Sequence, residues 1–452
     1  MSVPADYRAG TTAVVEGGHT LRGRVTVPGN KHSMVLGFAA GVALGAELTL
    51  TNTPWLSERD VLTHTLKLLG GHAECENDTV RIRGDITSSD LPAAATEVIH
   101  GSVYLLPAVL ANRGSVTFSG SGGDSLGSFE WGFTRPVKHM LEVSEAFGAQ
   151  WERRDGLLHA WTPRLRPATV DILRWSQDPT RPSGPYVSGA TKTALLMAAA
   201  APGSSLILHP HEKEASHELI TMLRALGIRI DQQDGGWVVH GGMALTTATH
   251  RLLPDPVEMM TWQSFAAMTG STLTIDCGDP AHVFTSIHRE LNFLSTLGIE
   301  PVFNEDTVTV GPAKQRYEGT ELVAESTGIS TDIAPLLAVM LLQADSRSVM
   351  EDRVWTGRYS YAESLRLMGA RMEVMGRQLV IEPSVLRPAD VVLRPTDTRS
   401  TAVCLAAALA TEGSSMVGGL DHLIRGYEAL LPRLAAVGAH IELVPDDAIC
   451  IA

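Results

Sequence analysis

Apolar positions along the chain fall into two alternating kinds of segment. The first is amphipathic. Leu62, Leu66 and Leu69, then Leu219, Ile220, Leu223 and Leu226, then Leu430, Leu434 and Val437 recur at steps of three or four, which predicts helices with one buried face. Such a helix ends in an apolar residue plus glycine, with a β-like stretch behind it, and the phrase occurs six times: Leu69-Gly70, Phe147-Gly148, Leu226-Gly227, Leu297-Gly298, Met368-Gly369 and Val437-Gly438. The glycines lie 78, 79, 71, 71 and 69 residues apart. Just past a helix end the backbone favours a left-handed turn, where a Cβ is costly. Six junctions in step indicate a repeat.

The second kind of segment is rich in Ala and Gly and nearly apolar on every side: Met34–Leu44, Ser102–Ala111, Thr193–Ala201, Ile333–Leu342 and Thr401–Ala410. Helices of that composition belong inside, where small residues let neighbours approach closely. Stretches such as Glu47–Thr51, Ser115–Phe118, Ser205–Leu208 and Thr272–Ile275 alternate with period two and predict strands between the helices. A period near seventy exceeds that of solenoids, so each unit reads as a compact βαβαββ-like piece. Six pieces in 452 residues fit an α/β (α+β) chain of two pseudo-symmetric domains with three repeats each. Leu252–Val257, with two prolines, is the expected crossover, and the cleft between the halves is the expected ligand site.

Charge narrows the partners. With 36 basic and 50 acidic residues the formal charge is −14, which argues against a nucleic-acid surface. Any anionic substrate must be held by a local basic cluster against that field. The opening Met1–Gly10 lacks the apolar stretch of a secretory signal, and no apolar run reaches the roughly 18 residues of a membrane span. Cys75, Cys277, Cys404 and Cys450 lie far apart without metal spacing, as expected of reduced thiols in a cytoplasmic protein.

Four places carry candidate chemistry. Val27–Ser33 sets Lys31 at a glycine turn before a buried helix, an anion site or a solvated turn lysine; the phosphate-loop spacing is missing. Ser119–Gly127 is glycine-rich, carries Asp124 and leads through Ser128–Phe133 to Arg135, a lid or a plain surface loop. Asp332, Asp397 and Arg399 precede buried helices, and Arg425 sits in Leu423–Glu428. Such aspartates either face a cleft or cap their helices, and the arginines either bind a ligand or form surface ion pairs. His209, His211 and His217 lack a second ligand group and read better as a loop and helix start than as a metal site.

In this order these pieces resemble the enolpyruvyl transferases from about Val14 to Val444. The likeness is nearer to the UDP-N-acetylglucosamine 1-carboxyvinyltransferase branch than to the 5-enolpyruvylshikimate 3-phosphate synthase branch. Thr134-Arg135-Pro136-Val137, Ser330-Thr331-Asp332, Thr396–Arg399 and Ile424–Glu428 carry it. The resemblance implies an inside-out α/β fold. One domain is made of residues 1–29 and 256–452, and the other of residues 30–255 with a lid at 119–134. It implies that Lys31, Arg135, Arg399 and Arg425 grip phosphoenolpyruvate, and that no metal or organic cofactor takes part. It makes Asp332 the base for the acceptor hydroxyl and Asp124 an acid for C3 or for departing phosphate, with Lys31 as the rival proton donor. His32, His100, Pro136, Val137, Ser188, Gly189, Asp332 and Asp397 are the implied acceptor contacts.

Several positions depart from the UDP-sugar pattern. His32 stands in place of an Asn, His100 in place of an Arg, and Lys138-His139 follows the Arg-Pro-Val stretch. Val187-Ser188-Gly189 looks partly like the shikimate branch's serine pair. A longer lid is expected to bring Phe129, Trp131 and Phe133 toward the acceptor side. Donor handling thus looks kept and acceptor handling rewritten. The expected acceptor is a uridine nucleotide, as in enolpyruvyl transfer to the 3′-hydroxyl of UMP in nucleoside-antibiotic pathways. UDP-N-acetylglucosamine comes second and shikimate 3-phosphate third. The rival from another class is a non-catalytic binding protein on the same scaffold. The oligomeric state is left open.

Overall fold

A computed structural model describes residues 10–124, 129–243 and 245–448. The opening residues 1–9, lid positions 125–128 and Cys450 lie outside the described residues.

The all-round apolar segments are helices and are the most buried parts of the chain. Three of them, Lys31–Leu44, Leu105–Arg113 and Val187–Ala200, pack on one another inside one unit, made of Gly29–Pro54 and Glu58–Leu253. Three more, Pro256–Met268, Ala334–Met340 and Thr398–Ala410, do the same inside a second unit, made of Met1–Pro28, Trp55–Ser57 and Pro254–Ala452. Each unit has its own hydrophobic core. The long run of one unit ends and that of the other begins between Leu253 and Pro254, inside the Leu252–Val257 stretch and just before its first proline. Pro256–Met268 has no place among the apolar stretches read from sequence, because Glu258, Thr261, Gln263 and Ser264 interrupt it. Every one of its residues is nevertheless buried. Close approach depends on small residues: a Cβ on Gly37 would lie 2.6 Å from Leu50 Cδ1.

Around the inner helices stand six sheets among the described residues. The repeat is visible in full at Thr169–Asp171, inner helix Val187–Ala200, Gly203–Leu208, outer helix Glu214–Ala225, and the hairpin Arg229–Gln233 with Gly236–Gly241. Its first two strands pair in parallel and the hairpin adds antiparallel partners. Period-two alternation shows in burial, since Leu48 and Leu50 are buried between less buried neighbours. All six junction glycines have positive φ, from 68° at Gly298 to 101° at Gly438.

The repeats are closed by strands from distant parts of the chain. Ala248–Arg251 pairs in parallel with Glu47–Thr51 and so returns the end of its unit to the beginning. Arg22–Thr26 supplies the parallel strand for Thr272–Asp276. Thr11–Gly17 lies between Gly413–Val417 and His440–Pro445, antiparallel to both, and takes the hairpin position that the last repeat leaves empty. No helix among the described residues is long and apolar enough to cross a membrane.

Candidate active site

In the Gly29–Leu253 unit the site begins at a turn that only glycine fits, because a Cβ on Gly29 would lie 2.2 Å from the Asn52 carbonyl oxygen. Asn30 then caps the Lys31–Leu44 helix, its Oδ1 accepting from His32 N at 2.8 Å. Capping fixes Lys31 and His32 in the first turn. Lys31 Nζ is 3.3 Å from Oε1 of Glu58, whose side chain is 1% exposed. A buried carboxylate thus holds the lysine in one place.

Arg135 is buried and anchored through its backbone. Its N–H donates to Ser121 Oγ at 3.2 Å, and Thr134 Oγ1 donates to the Ser121 carbonyl at 2.8 Å. Ser121 of the glycine loop is therefore tied at two points to the start of the Arg-Pro-Val stretch. Asp124 stands half-buried at the edge of the described loop. Val137 packs into the core, and Pro136 is buried beside it.

One imidazole ties this half together. His100 is held well below the usual histidine range, first by burial and then by Arg135, His32, Lys31 and Lys192. Four of these five groups were expected from sequence. Lys192 was not, because the apolar reading of its helix starts one residue later, at Thr193. Its Nζ donates to Ser188 Oγ at 3.0 Å and lies 5.5 Å from the Tyr104 ring centre. Close by, Gly189 leaves room for His139: a Cβ there would lie 2.2 Å from His139 Nε2. The His139 ring rests 5.3 Å from Tyr186, neither nitrogen has a hydrogen-bond partner, and burial pushes its pKa down to about 3.

The lid aromatics point elsewhere than expected. Trp131 packs edge-on against Trp151 at 5.8 Å, and Phe133 against Phe118 at 6.1 Å, inside or beside the core. Phe129 closes a tight turn with Phe133, whose carbonyl accepts from Phe129 N at 3.0 Å. Trp131 and Phe133 thus pack their rings on neighbouring aromatics of their own unit.

In the Pro254–Ala452 unit the site is a carboxylate among guanidinium groups. Asp332 Oδ1 is 2.5 Å from Arg358 NH2 and 4.0 Å from Arg399 Nε. The preceding residues fix it: Thr331 Oγ1 donates to Asp352 Oδ2, and Ser330 N to Glu290 Oε1 at 2.7 Å. Asp332 is thus an ion-paired aspartate and not a cap, since Ile333 holds the N-cap position of the helix that follows. Burial works against the charge of Arg358, but Asp332, Asp397 and Asp352 more than offset it and raise its pKa. Arg358 escaped the sequence reading because it sits in a loop without a motif.

Asp397 is a cap. Its Oδ1 accepts from Arg399 N and Ser400 N, at 3.0 and 2.9 Å, and its Oδ2 from Ser360 Oγ and Ser400 Oγ, at 2.6 and 2.5 Å. Burial alone would raise its pKa, yet these bonds and the charge of Arg358 hold it below the ordinary value. The guanidinium of Arg399 lies 5.2 Å from the Tyr427 ring centre, and Tyr427 Oη shares a 2.9 Å bond with Thr261 Oγ1. Arg425 ends the Leu420–Arg425 turn. A Cβ on the next residue, Gly426, would lie 2.6 Å from Thr398 Cγ2 and 3.6 Å from Arg399 NH1, which sets this turn against the start of the Arg399 helix.

His209, His211 and His217 part company: His209 Nδ1 meets Asp171 at 2.9 Å, His211 N donates to Thr191 Oγ1, and His217 packs on Trp237. Among the described residues no group of three His, Cys, Asp or Glu could hold a metal ion. Cys75 is exposed, Cys277 and Cys404 are buried, and all three are free thiols.

Each unit therefore gathers cations from separate repeats beside a fixed acid or neutral base, which suits a group transferase working on anionic substrates. A profile of the EPSP synthase (3-phosphoshikimate 1-carboxyvinyltransferase) family matches residues 15–434. UDP-N-acetylglucosamine 1-carboxyvinyltransferase of Paracoccus denitrificans is 30% identical over 96% of this chain and 99% of its own. The enzyme of that name from Zymomonas mobilis is 31% identical over 95% and 98%. The enolpyruvyl transferase NikO of Streptomyces tendae superposes with a TM-score of 0.89 at 30% identity, over 97% of this chain and 99% of its own. EPSP synthase of Acinetobacter baumannii, at 15% identity and a TM-score of 0.70, shares the fold. The chain belongs to the EPSP synthase family and is an enolpyruvyl (carboxyvinyl) transferase.

Proposed function

We propose that the chain moves the enolpyruvyl group of phosphoenolpyruvate to a hydroxyl of a uridine nucleotide, with release of phosphate. The observation that carries this reading is the pair of cation clusters, with Lys31 and Arg135 in one unit and Arg399 in the other, the last beside Asp332. Arg425 completes the donor set. The donor carries up to three negative charges, and one charge pair at 4 Å is worth on the order of 4 kcal/mol at an effective dielectric of 20. Several cations are needed on a chain of charge −14. Guanidinium groups suit the task because their fork bonds carboxylate and phosphate in the plane.

The reaction is addition followed by elimination. A proton from Asp124 or Lys31 goes to C3 of the donor, C2 becomes cationic, and the acceptor oxygen bonds to C2 as Asp332 takes its proton. The tetrahedral adduct then loses a C3 proton and expels phosphate, which restores the double bond. His32, His100, Pro136, Val137, Ser188 and Gly189 form the acceptor side with Asp332 in this reading, while Asp397 serves the donor by capping the helix that carries Arg399.

A uridine nucleotide is favoured by the departures from the UDP-sugar pattern at His32 and His100, while the likeness to the enolpyruvyl transferase NikO supports the reaction class. UDP-N-acetylglucosamine remains the second reading, because 1-carboxyvinyltransferases for that sugar nucleotide match the chain at similar identity. The test is phosphate release from phosphoenolpyruvate with UMP, UDP-N-acetylglucosamine or shikimate 3-phosphate supplied separately. Release with UMP and product mass higher by one enolpyruvyl group is the expected result. Release with the sugar nucleotide alone overturns the acceptor assignment, and release with none overturns all three.

A further inference from the structure

Lys192 is a charge the fold does not need. Outside first and last turns, it is the one cation in the six inner helices among the described residues. The residue is 6% exposed, so little of it meets water. Lys31, which acts on the same imidazole, that of His100, faces a carboxylate, Glu58. Lys192 has a neutral hydroxyl, Ser188 Oγ, and the Tyr104 ring. A buried charge without an opposite charge is unfavourable, and an apolar side chain of similar length costs less. The surroundings add to this, because Lys31, Arg135 and Lys192 all act on the buried His100, whose Nδ1 has no hydrogen-bond partner. Three cations around one imidazole favour an anion beside them.

We propose that Lys192 is a specificity-determining residue of the acceptor site, its ammonium and the Ser188 hydroxyl together binding the phosphate of a nucleotide acceptor. The proposal rests on the uridine-nucleotide reading above. Position favours the acceptor over the donor: Ser188 and Gly189 open the Val187–Ala200 helix on the acceptor side, and Lys192 lies one turn further in, on the same face as Ser188. An acceptor without an anionic group leaves the ammonium uncompensated, so the residue selects for phosphorylated acceptors.

Steady-state kinetics of the full chain and of Lys192→Met test this. With UMP the acceptor KM of the variant is expected to rise at least tenfold, with the KM for phosphoenolpyruvate changed less than twofold. Uridine, which lacks the phosphate, should be used equally poorly by both proteins. A rise confined to the donor KM moves Lys192 to the donor and overturns the proposal. Unchanged constants with a lower melting temperature make the residue structural and also overturn it. Should neither UMP nor the sugar nucleotide be turned over by the wild type, the uridine reading fails by itself. Calorimetry with inorganic phosphate then decides: at least tenfold weaker binding by Lys192→Met sustains the anion site, and equal binding ends it.

Discussion

In the proposed reaction a single carboxylate oxygen takes the acceptor proton. Asp332 Oδ1 is fixed by Arg358 and lies within reach of Arg399, so the proposed base is oriented before any acceptor arrives. Asp332→Asn keeps the shape and the bond to Arg358 but loses the proton acceptor. Its kcat is expected to fall by about 10²–10⁴-fold with little change in donor KM; a fall below threefold in steady-state assays would remove Asp332 from the role. His139 yields a prediction about stability. Its imidazole stays neutral in the fold, with a pKa of about 3, whereas the unfolded chain protonates it near 6.5. Between those values the unfolded state binds the extra proton, so stability falls as pH drops from about 6.5, at up to roughly 1.4 kcal/mol per pH unit for one group. His100, also held low, acts in the same direction. Urea midpoints at pH 7.5, 6 and 5 should show a slope shallower by about one proton in His139→Gln; parallel slopes would mean that His139 is charged in the fold.

At the level of elements, capping and ligand placement coincide in the Thr398–Ala410 helix. Asp397 spends four acceptor bonds on the helix start and its neighbouring serines, and Arg399 is the second residue of that helix. Asp397→Ala is expected to lose roughly 2 kcal/mol of stability by denaturant unfolding and to raise the donor KM, because Arg399 loses its seat. Asp397→Asn, still able to cap, should recover most of both; recovery of stability without recovery of KM would show that the carboxylate itself meets a substrate. Elements of this kind were legible in the sequence where a period announced them: the six glycine junctions, the amphipathic helices before them and five of the inner helices. Pro256–Met268 was not, because its Glu258, Gln263 and Ser264 break the apolar run, though Glu258 is neutralised by Arg433 at 2.6 Å. Lys192 and Arg358 were hidden for a related reason. A lone cation in an apolar helix or a loop has no spacing to betray it, and its meaning comes only from Ser188 or Asp332 across the fold. The lid aromatics misled because a loop sequence does not tell which way its rings turn.

For the whole molecule the decisive feature is that chain order and spatial order differ. The last repeat ends at His440–Pro445 and lacks the second strand of its hairpin, a place taken by Thr11–Gly17 from the other end of the chain. Ala13 and Val15 are fully buried there, so the strand supplies core as well as ladder bonds. Helix Thr398–Ala410, which bears Arg399, packs against this strand, and the Leu420–Arg425 turn touches it too. Strand, core and donor cations are therefore mechanically linked within one unit. A proline at Val14, which stands opposite Met416 on one side and Glu442 on the other, removes a backbone donor from a central strand that cannot spare it. Val14→Pro is expected to lower the melting temperature and to speed amide exchange in Gly413–Val417 and His440–Pro445 by at least tenfold. Ser348–Asp352, in the separate sheet that comes before theirs in chain order, should change far less. Donor KM should rise along with the exchange, since Arg399 and Arg425 ride on elements braced by that strand. Normal exchange in both neighbouring strands would show that Thr11–Gly17 adds little to the sheet, and the dependence of the donor cations on the start of the chain would fall with it.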